Sequence, residues 1–90
     1  MEKYLKEISE AKAAEWKRNG YTIPIPTFTY TTGKRYHKVI VDNYGQKSVH
    51  CFVDFAGNIY KASGWNAPAK GIRGNIHNDN KPLLCGEFYR

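Results

Sequence analysis

The residues best suited to ligand chemistry lie in one glycine-rich stretch of the second half of the chain. Residues 61–75, KASGWNAPAKGIRGN, hold three cations, three glycines and one tryptophan, and no acid occurs between Asp54 and Asp79. Glycines let backbone N–H groups approach an anion, Lys70 and Arg73 supply positive charge, and an arginine can bond two phosphate oxygens at once. The stretch therefore predicts a site for a phosphate-bearing ligand.

Further contacts to that ligand are predicted around the two cations. Trp65 or Tyr60 offers an aromatic surface on which a base can stack, and Lys61 and Asn75 complete the predicted set. The glycine spacing matches neither a Walker loop nor a dinucleotide-binding fingerprint. The alternative is a loop whose glycines only form turns, and for Trp65 alone core packing is the favoured interpretation.

A second basic group lies at the start of the first predicted strand. Lys34, Arg35 and Lys38 stand among the aromatic residues Tyr36 and His37, and residues 19–41 contain no acid. Cations interleaved with aromatic rings suit single-stranded nucleic acid or a nucleotide, so these three are predicted as secondary contacts. A solvated strand end is the alternative. Nucleic acid is favoured if both basic groups share a surface, and a small-ligand pocket if they do not.

A catalytic site is not predicted. His50 and Cys51 are neighbours on a predicted strand and should point to opposite faces. His50 and Asp54 should share a face, but four residues along a strand separate them by about 13 Å, too far for a hydrogen bond. Paired carboxylates and a C-x-x-C pattern are absent from the sequence, so no metal and no cofactor are predicted. A small hydrolase or nuclease built on His50 and Asp54 is an alternative hypothesis.

The elements that would position these residues make an α+β fold. Residues 2–18 predict an amphipathic helix, because Tyr4, Leu5, Ile8, Ala11 and Trp16 fall on one stripe, and Asn19-Gly20 suits its end. Residues 36–62 predict a three- to four-stranded antiparallel meander on which this helix packs, with Cys51 grouped with Val49, Val53 and Phe55 on one face and Ser48, His50, Phe52 and Asp54 on the other.

The remaining segments are predicted as connections within one domain of residues 1–90. Residues 21–33 are predicted as a connector, because Pro24 and Pro26 exclude a central strand. Residues 63–82 are predicted as a long, mainly ordered functional loop that is rich in glycine. Residues 83–90 are a possible edge strand.

Composition limits the class of protein. With 41% hydrophobic and 14% aromatic residues the chain should fold, and its formal net charge of +6 favours polyanionic partners. Apolar runs are only a few residues long, so we expect no membrane span and an intracellular protein. Cys51 and Cys85 are therefore expected as buried thiols more than as a disulfide.

A longer string of residues resembles a known family. KSVHCFVD (residues 47–54), GNIYKA (residues 57–62), Trp65, APAKG (residues 67–71) and RGNI (residues 73–76) together resemble a family of small, mostly uncharacterised bacteriophage-encoded proteins. The resemblance covers about residues 36–76. It implies a short accessory protein in the cytoplasm of an infected bacterium, where such proteins often counter host defence.

The predicted function combines this resemblance with the basic residues. We expect a non-enzymatic protein that sequesters a nucleotide-derived defence signal or binds nucleic acid. A homo-oligomer is expected, because a small domain gains pocket depth at a subunit interface. The alternative is an inhibitor that docks on a host protein through exposed aromatic residues and its basic surface.

Overall fold

The computed structural model describes residues 1–20, 22, 24–43, 45–78 and 81–83, and it begins with helix α1, Glu2–Asn19. The helix confirms the predicted one and is longer by one residue. It ends at Gly20, whose φ of 68° places it in the left-handed region, and the Gly20 N–H bonds the Lys17 carbonyl oxygen. Of the predicted apolar stripe, Tyr4 and Ile8 are fully buried and Leu5 packs against the core.

The described residues form one antiparallel sheet of five strands in the order β1-β2-β3-β4-β5. The strands are β1 Thr27–Thr32, β2 Tyr36–Asn43, β3 Gln46–Asp54, β4 Asn58–Lys61 and β5 Gly74–Asn75. The predicted meander is confirmed, and the α+β class with it. The strand number is corrected from three or four to five, because both ends of the sheet extend beyond residues 36–62.

Strand β1 lies where a connector was predicted. Pro24 and Pro26 precede Thr27, so neither interrupts the backbone hydrogen bonds of the strand. Among the described strands β1 pairs with β2 alone, from Thr27 opposite Asp42 to Thr32 opposite His37. The alternation of threonine with Phe28 and Tyr30 places both rings on the helix side, where they pack against the core. The segment is therefore an edge strand.

Helix α1 covers one face of the sheet. The core joins Tyr4 and Ile8 of the helix to Val39 of β2, to β3 and to β4, with fully buried side chains at Cys51, Val53 and Ile59. A register shift between Val39 and Ile40 leaves His50 as an extra residue in β3, because Val39 pairs with Cys51 while Ile40 pairs with Val49. This bulge corrects two predicted faces: Val49, opposite Ile40, lies on the face away from Cys51, and Ser48, opposite Val41, lies on the same face as Cys51.

Residues 63–82 are not one long loop. Ala62 and Pro68 form an isolated bridge, and β5 follows at Gly74–Asn75. Between them the Ala69 N–H bonds the Lys61 carbonyl (2.6 Å) and the Arg73 N–H bonds the Ile59 carbonyl (2.7 Å). The segment therefore makes a tight turn at 63–67 and then returns along the edge of β4.

Residues 81–83 lie against the helix and the core. Lys81 forms an ion pair with Glu7 at 2.6 Å, Pro82 is buried, and Leu83 packs on the core cluster. Leu83 is described and is not in a strand; the rest of the predicted edge strand, residues 84–90, lies outside the described residues, and Cys85 with it. The Cys51 thiol is fully buried.

Candidate nucleic-acid interface

Three aromatic rings cluster on the face of the sheet opposite the helix. The Tyr36 ring meets Phe52 at 5.9 Å and Tyr60 at 5.6 Å between centroids, both edge to face. Phe52 and Tyr60 are direct partners across β3 and β4, and they alternate with the core residues Val53 and Ile59. Tyr60 was predicted as a stacking surface, and the sheet adds Tyr36 and Phe52 beside it.

Lys38 and Trp65 meet on the same face, although they come from the two basic groups that the sequence separates. Lys38 is the register partner of Phe52. Its ammonium lies 4.8 Å from the centroid of the Trp65 ring, a cation–π contact, and donates a hydrogen bond of 2.7 Å to Asn66 Oδ1. Trp65 and Asn66 of residues 61–75 thus share one surface with Lys38, whereas the cations of that stretch do not lie on it. We call this surface the open face: Tyr36, Lys38, Phe52, Tyr60, Trp65 and Asn66.

A tight turn holds Trp65 in place. The backbone N–H groups of Ser63 and Gly64 both bond the Ala67 carbonyl, at 2.9 and 3.2 Å, and the Ser63 hydroxyl donates to the same oxygen. Trp65 lies at the tip of this turn and is 48% exposed. The favoured interpretation of Trp65 as a core residue is therefore wrong, because the turn lifts the ring off the sheet and leaves an aromatic surface in solvent.

Asp54 fixes one end of the open face. Its carboxylate accepts hydrogen bonds from the N–H groups of Ala56 and Asn58, from the Asn58 side chain, and from the Tyr60 hydroxyl at 3.0 Å. Desolvation acts to raise the pKa of Asp54, but these hydrogen bonds together lower it. The bond to Asp54 raises the pKa of Tyr60. The Asp54 carboxylate is thus hydrogen-bonded to the turn between β3 and β4, and it orients the Tyr60 ring.

The other predicted cations lie around the edges of the sheet. Lys34 and Arg35 are exposed in the turn that leads into Tyr36. Lys70 and Arg73 are exposed beside β4, and Gly71 between them has a φ of 97°. Lys61 is the register partner of Cys51 and so belongs to the helix side of the sheet, away from Lys38 and Trp65.

Asn75 is used within the fold. Its amide nitrogen donates to the Ala56 carbonyl at 3.3 Å and to Asn58 Oδ1 at 3.1 Å, and its Oδ1 accepts from the His77 N–H at 2.9 Å. These bonds join β5 to the turn between β3 and β4. The amide positions the sheet edge that carries Arg73.

The structure does not bring the side chains of His50 and Asp54 together. The His50 ring meets Phe28 at 5.2 Å, and its Nε2 donates to the Leu83 carbonyl at 2.7 Å, whereas Asp54 bonds Tyr60 on the open face. The prediction that His50 and Asp54 share a face is wrong. The bulge turns His50 toward the side on which Cys51 is buried, so the prediction that these two neighbours point apart is wrong as well.

Burial shapes the ionisation of His50. Desolvation lowers the pKa of this imidazole, and the hydrogen bond to Leu83 only partly opposes the effect. No group of three or more His, Cys, Asp or Glu within residues 1–20, 22, 24–43, 45–78 and 81–83 is arranged to hold a metal ion. The described part of the chain also contains no helix long and apolar enough to cross a membrane.

Sequence reasoning missed part of this surface. Asn66 was not singled out, and Phe52 was placed on the correct face without a role. The available signal was the spacing of two residues between Tyr36 and Lys38 in β2 and between Phe52 and Asp54 in β3, which places each pair on one face of its strand. Pairing of the two strands then brings Phe52 next to Lys38. The contact with Trp65 depends on the turn at 63–67, whose direction no local pattern specifies.

Comparison with known proteins gives a family and no activity. Neither the curated proteins nor the solved structures contain a match to this chain. One family model matches residues 1–87, which is nearly the whole chain and includes every residue of the open face. The chain therefore belongs to a family of unknown function (DUF7717).

Proposed function

We propose that this protein binds single-stranded nucleic acid on the open face of its sheet and catalyses no reaction. The observation that carries the proposal is the joining of Lys38, Trp65 and Asn66 with the half-buried rings of Tyr36 and Tyr60, which lie beside the buried Phe52 ring. Bases of a single strand stack on aromatic side chains, and neighbouring cations bind the phosphates between them.

The formal net charge of +6 supports a polyanionic ligand. Residues 1–19, which include the helix, hold five bases and four acids, whereas residues 20–90 hold nine bases and four acids. Lys34 and Arg35 are exposed in the turn between β1 and β2, and Lys70 and Arg73 are exposed beside β4, so these cations flank the open face and could contact further phosphates of a bound strand. Of the acids in β2–β4, Asp54 is committed to its own loop.

The bacteriophage setting is proposed on the sequence resemblance. In the cytoplasm of an infected bacterium, a protein of this kind would cover single strands or sequester a nucleotide-derived defence signal. Self-association would enlarge the binding surface, and native mass spectrometry of the purified protein measures subunit number and retained ligand together. A ligand-free protein that forms a stoichiometric complex with one purified host protein would favour the inhibitor hypothesis instead.

The test compares two lysines that stand over two tryptophans. Lys38 lies 4.8 Å from the Trp65 centroid on the open face, and Lys12 lies 5.5 Å from the Trp16 centroid on the helix. Lys38→Gln and Lys12→Gln each remove one charge, one cation–π contact and one polar partner, which is Asn66 for Lys38 and the Glu15 carboxylate for Lys12. Fluorescence anisotropy with a labelled single-stranded oligonucleotide measures the affinity of each variant.

We expect Lys38→Gln to weaken binding by about threefold to tenfold and to lower the salt slope by about 0.7, the value for one single-strand phosphate contact. Trp65→Ala should weaken binding by about fivefold to a hundredfold, because stacking contributes about 1–3 kcal/mol per base. Lys12→Gln should leave both quantities unchanged. Equal losses for Lys38→Gln and Lys12→Gln would show that charge alone, and not the open face, determines binding.

A further inference from the structure

A shallow groove borders Trp65 on the side of β3. Its volume is about 360 Å³, within the range of about 300–1,000 Å³ that small-molecule sites occupy. The groove is lined by Lys47, Ser48, Val49, Ala62, Ser63, Gly64 and Trp65.

The groove exists because β3 is longer than β4 and extends beyond its end. Strand β4 pairs with residues 51–53 of β3, while β3 continues back to Gln46. The Ala62–Pro68 bridge then closes the base of the turn, which stands beside the uncovered start of β3. Gly64 leaves the wall open, since a Cβ built there meets no atom within 4 Å.

The lining offers a base a flat aromatic surface and offers a phosphate a cation. Trp65 is 48% exposed and Lys47 is exposed, and the lining contains no acid. Asp42, the cross-strand partner of Lys47, accepts the Gly45 N–H at 2.8 Å through Oδ1, so its carboxylate is held at the β2–β3 turn. Aromatic stacking and a nearby ammonium are the two contacts that recognise a nucleotide of any base.

We infer that this groove is a subsite for one nucleotide, whose base stacks on Trp65 and whose phosphate binds Lys47. The inference rests on the proposed function and adds Lys47 as a ligand contact. A strand on the open face would place one nucleotide in the groove and its neighbours over Tyr36 and Tyr60.

A single-tryptophan protein provides the test. The chain has two tryptophans, so Trp16→Phe leaves Trp65 as the sole tryptophan reporter. Adenosine 5′-monophosphate should quench its fluorescence saturably, and Lys47→Gln in the same background should weaken this binding about threefold to tenfold through loss of one charge-assisted contact. Lys6→Gln, an exposed lysine of the helix, is the charge-matched control and should change nothing.

Adenosine separates the two contacts. It lacks the phosphate, so Lys47→Gln should leave adenosine binding unchanged while it weakens binding of the monophosphate. If an oligonucleotide binds through Trp65 and Lys38 but neither adenosine 5′-monophosphate nor Lys47→Gln has any effect, the subsite is wrong and the proposed function stands. If neither the oligonucleotide nor the monophosphate binds, both proposals are wrong.

Discussion

Two buried side chains hold consecutive backbone carbonyls near the end of the described chain. The Tyr4 hydroxyl donates to the Pro82 carbonyl at 2.7 Å and lies 3.9 Å from Cys51 Sγ. His50 Nε2 donates to the Leu83 carbonyl at 2.7 Å. Since these bonds join the helix and β3 to the same short segment, single residues determine whether residues 81–83 stay packed on the core.

Removal of the Tyr4 hydroxyl should destabilise the fold. Tyr4 is 2% exposed, so Tyr4→Phe leaves the buried Pro82 carbonyl without this donor, at a cost of about 1–3 kcal/mol in the free energy of unfolding. The matched control is Tyr30→Phe, whose hydroxyl bonds Glu2 at the surface at 2.8 Å and should change stability by less than about 0.5 kcal/mol. Urea unfolding measures both, and equal losses would contradict the role of the buried bond.

His50 should make the fold sensitive to mild acid. Its pKa is lowered in the folded protein by burial, so the unfolded chain takes up the proton first as the pH falls. The contribution of the neutral imidazole is complete above the unfolded pKa of about 6.5 and is lost as the pH falls from there through the folded pKa. Thermal unfolding from pH 7.5 to pH 5 should show this loss.

The variant His50→Gln tests the assignment. Glutamine keeps a neutral donor for the Leu83 carbonyl but does not titrate, so the stability of the variant should fall less steeply than that of the wild type over the same pH range. Its stability at pH 7.5 is expected to be lower, because a glutamine fills the space beside Phe28 less well. An unchanged slope would assign the acid sensitivity to other groups.

At the scale of elements, the approach of residues 81–83 to β5 leaves no space for a side chain at Gly74. A Cβ built on Gly74 would lie 2.6 Å from Pro82 Cδ, closer than carbon atoms pack. Gly64, in the turn that carries Trp65, has open space in the same position. The two glycines therefore differ in the side chain that each position permits.

Gly74→Ala should displace residues 81–83 and destabilise the protein by about 1–3 kcal/mol through overpacking. Gly64→Ala should be tolerated within about 0.5 kcal/mol, because it meets no neighbour. Chemical denaturation of the two variants provides the comparison, and amide hydrogen exchange at Ile76 and Leu83 locates the change. A Gly74→Ala protein as stable as Gly64→Ala would mean that the close approach of Pro82 is easily relieved.

The helix and the central strands follow from local patterns, and the ends of the sheet do not. The period of 3.6 residues predicts α1 to within one residue, and the period of two predicts the antiparallel meander of residues 36–62 that β2, β3 and β4 form. Pro24 and Pro26 predict a connector over residues 21–33, but both precede β1 and leave its backbone hydrogen bonds intact. Strand β5 has only two residues, too few for any alternation, and its place depends on Gly74 fitting beneath Pro82. The bulge at His50 likewise depends on strand pairing and leaves no mark in the sequence.

At the scale of the whole molecule, the sheet separates a helix side from an open face. The sequence predicted Lys38, Tyr60 and Trp65 as ligand contacts. It did not predict that the three residues lie on one face, because this depends on the turn at 63–67 and on the strand order. Predicted cations outside the open face, such as Lys70 and Arg73, line an edge of the sheet instead.

This arrangement predicts a preference for single strands. A duplex hides its bases from Tyr36, Tyr60 and Trp65, so at moderate salt it should bind at least about tenfold more weakly than a single strand, a loss of about one stacking contact. At low salt the difference should shrink, because the net charge of +6 attracts any polyanion. Anisotropy titrations of one sequence in both forms measure this, and equal affinities at every salt concentration would exclude stacking.

The most direct measurement is an NMR titration of the protein with a short single-stranded oligonucleotide. If the open face binds it, the largest shifts should fall on the Trp65 indole, on the rings of Tyr36 and Tyr60, and on the amides of Lys38 and Asn66, with little change in α1. Shifts confined to the helix, or no shifts at millimolar ligand, would contradict the proposal that the open face of the sheet is a nucleic-acid interface.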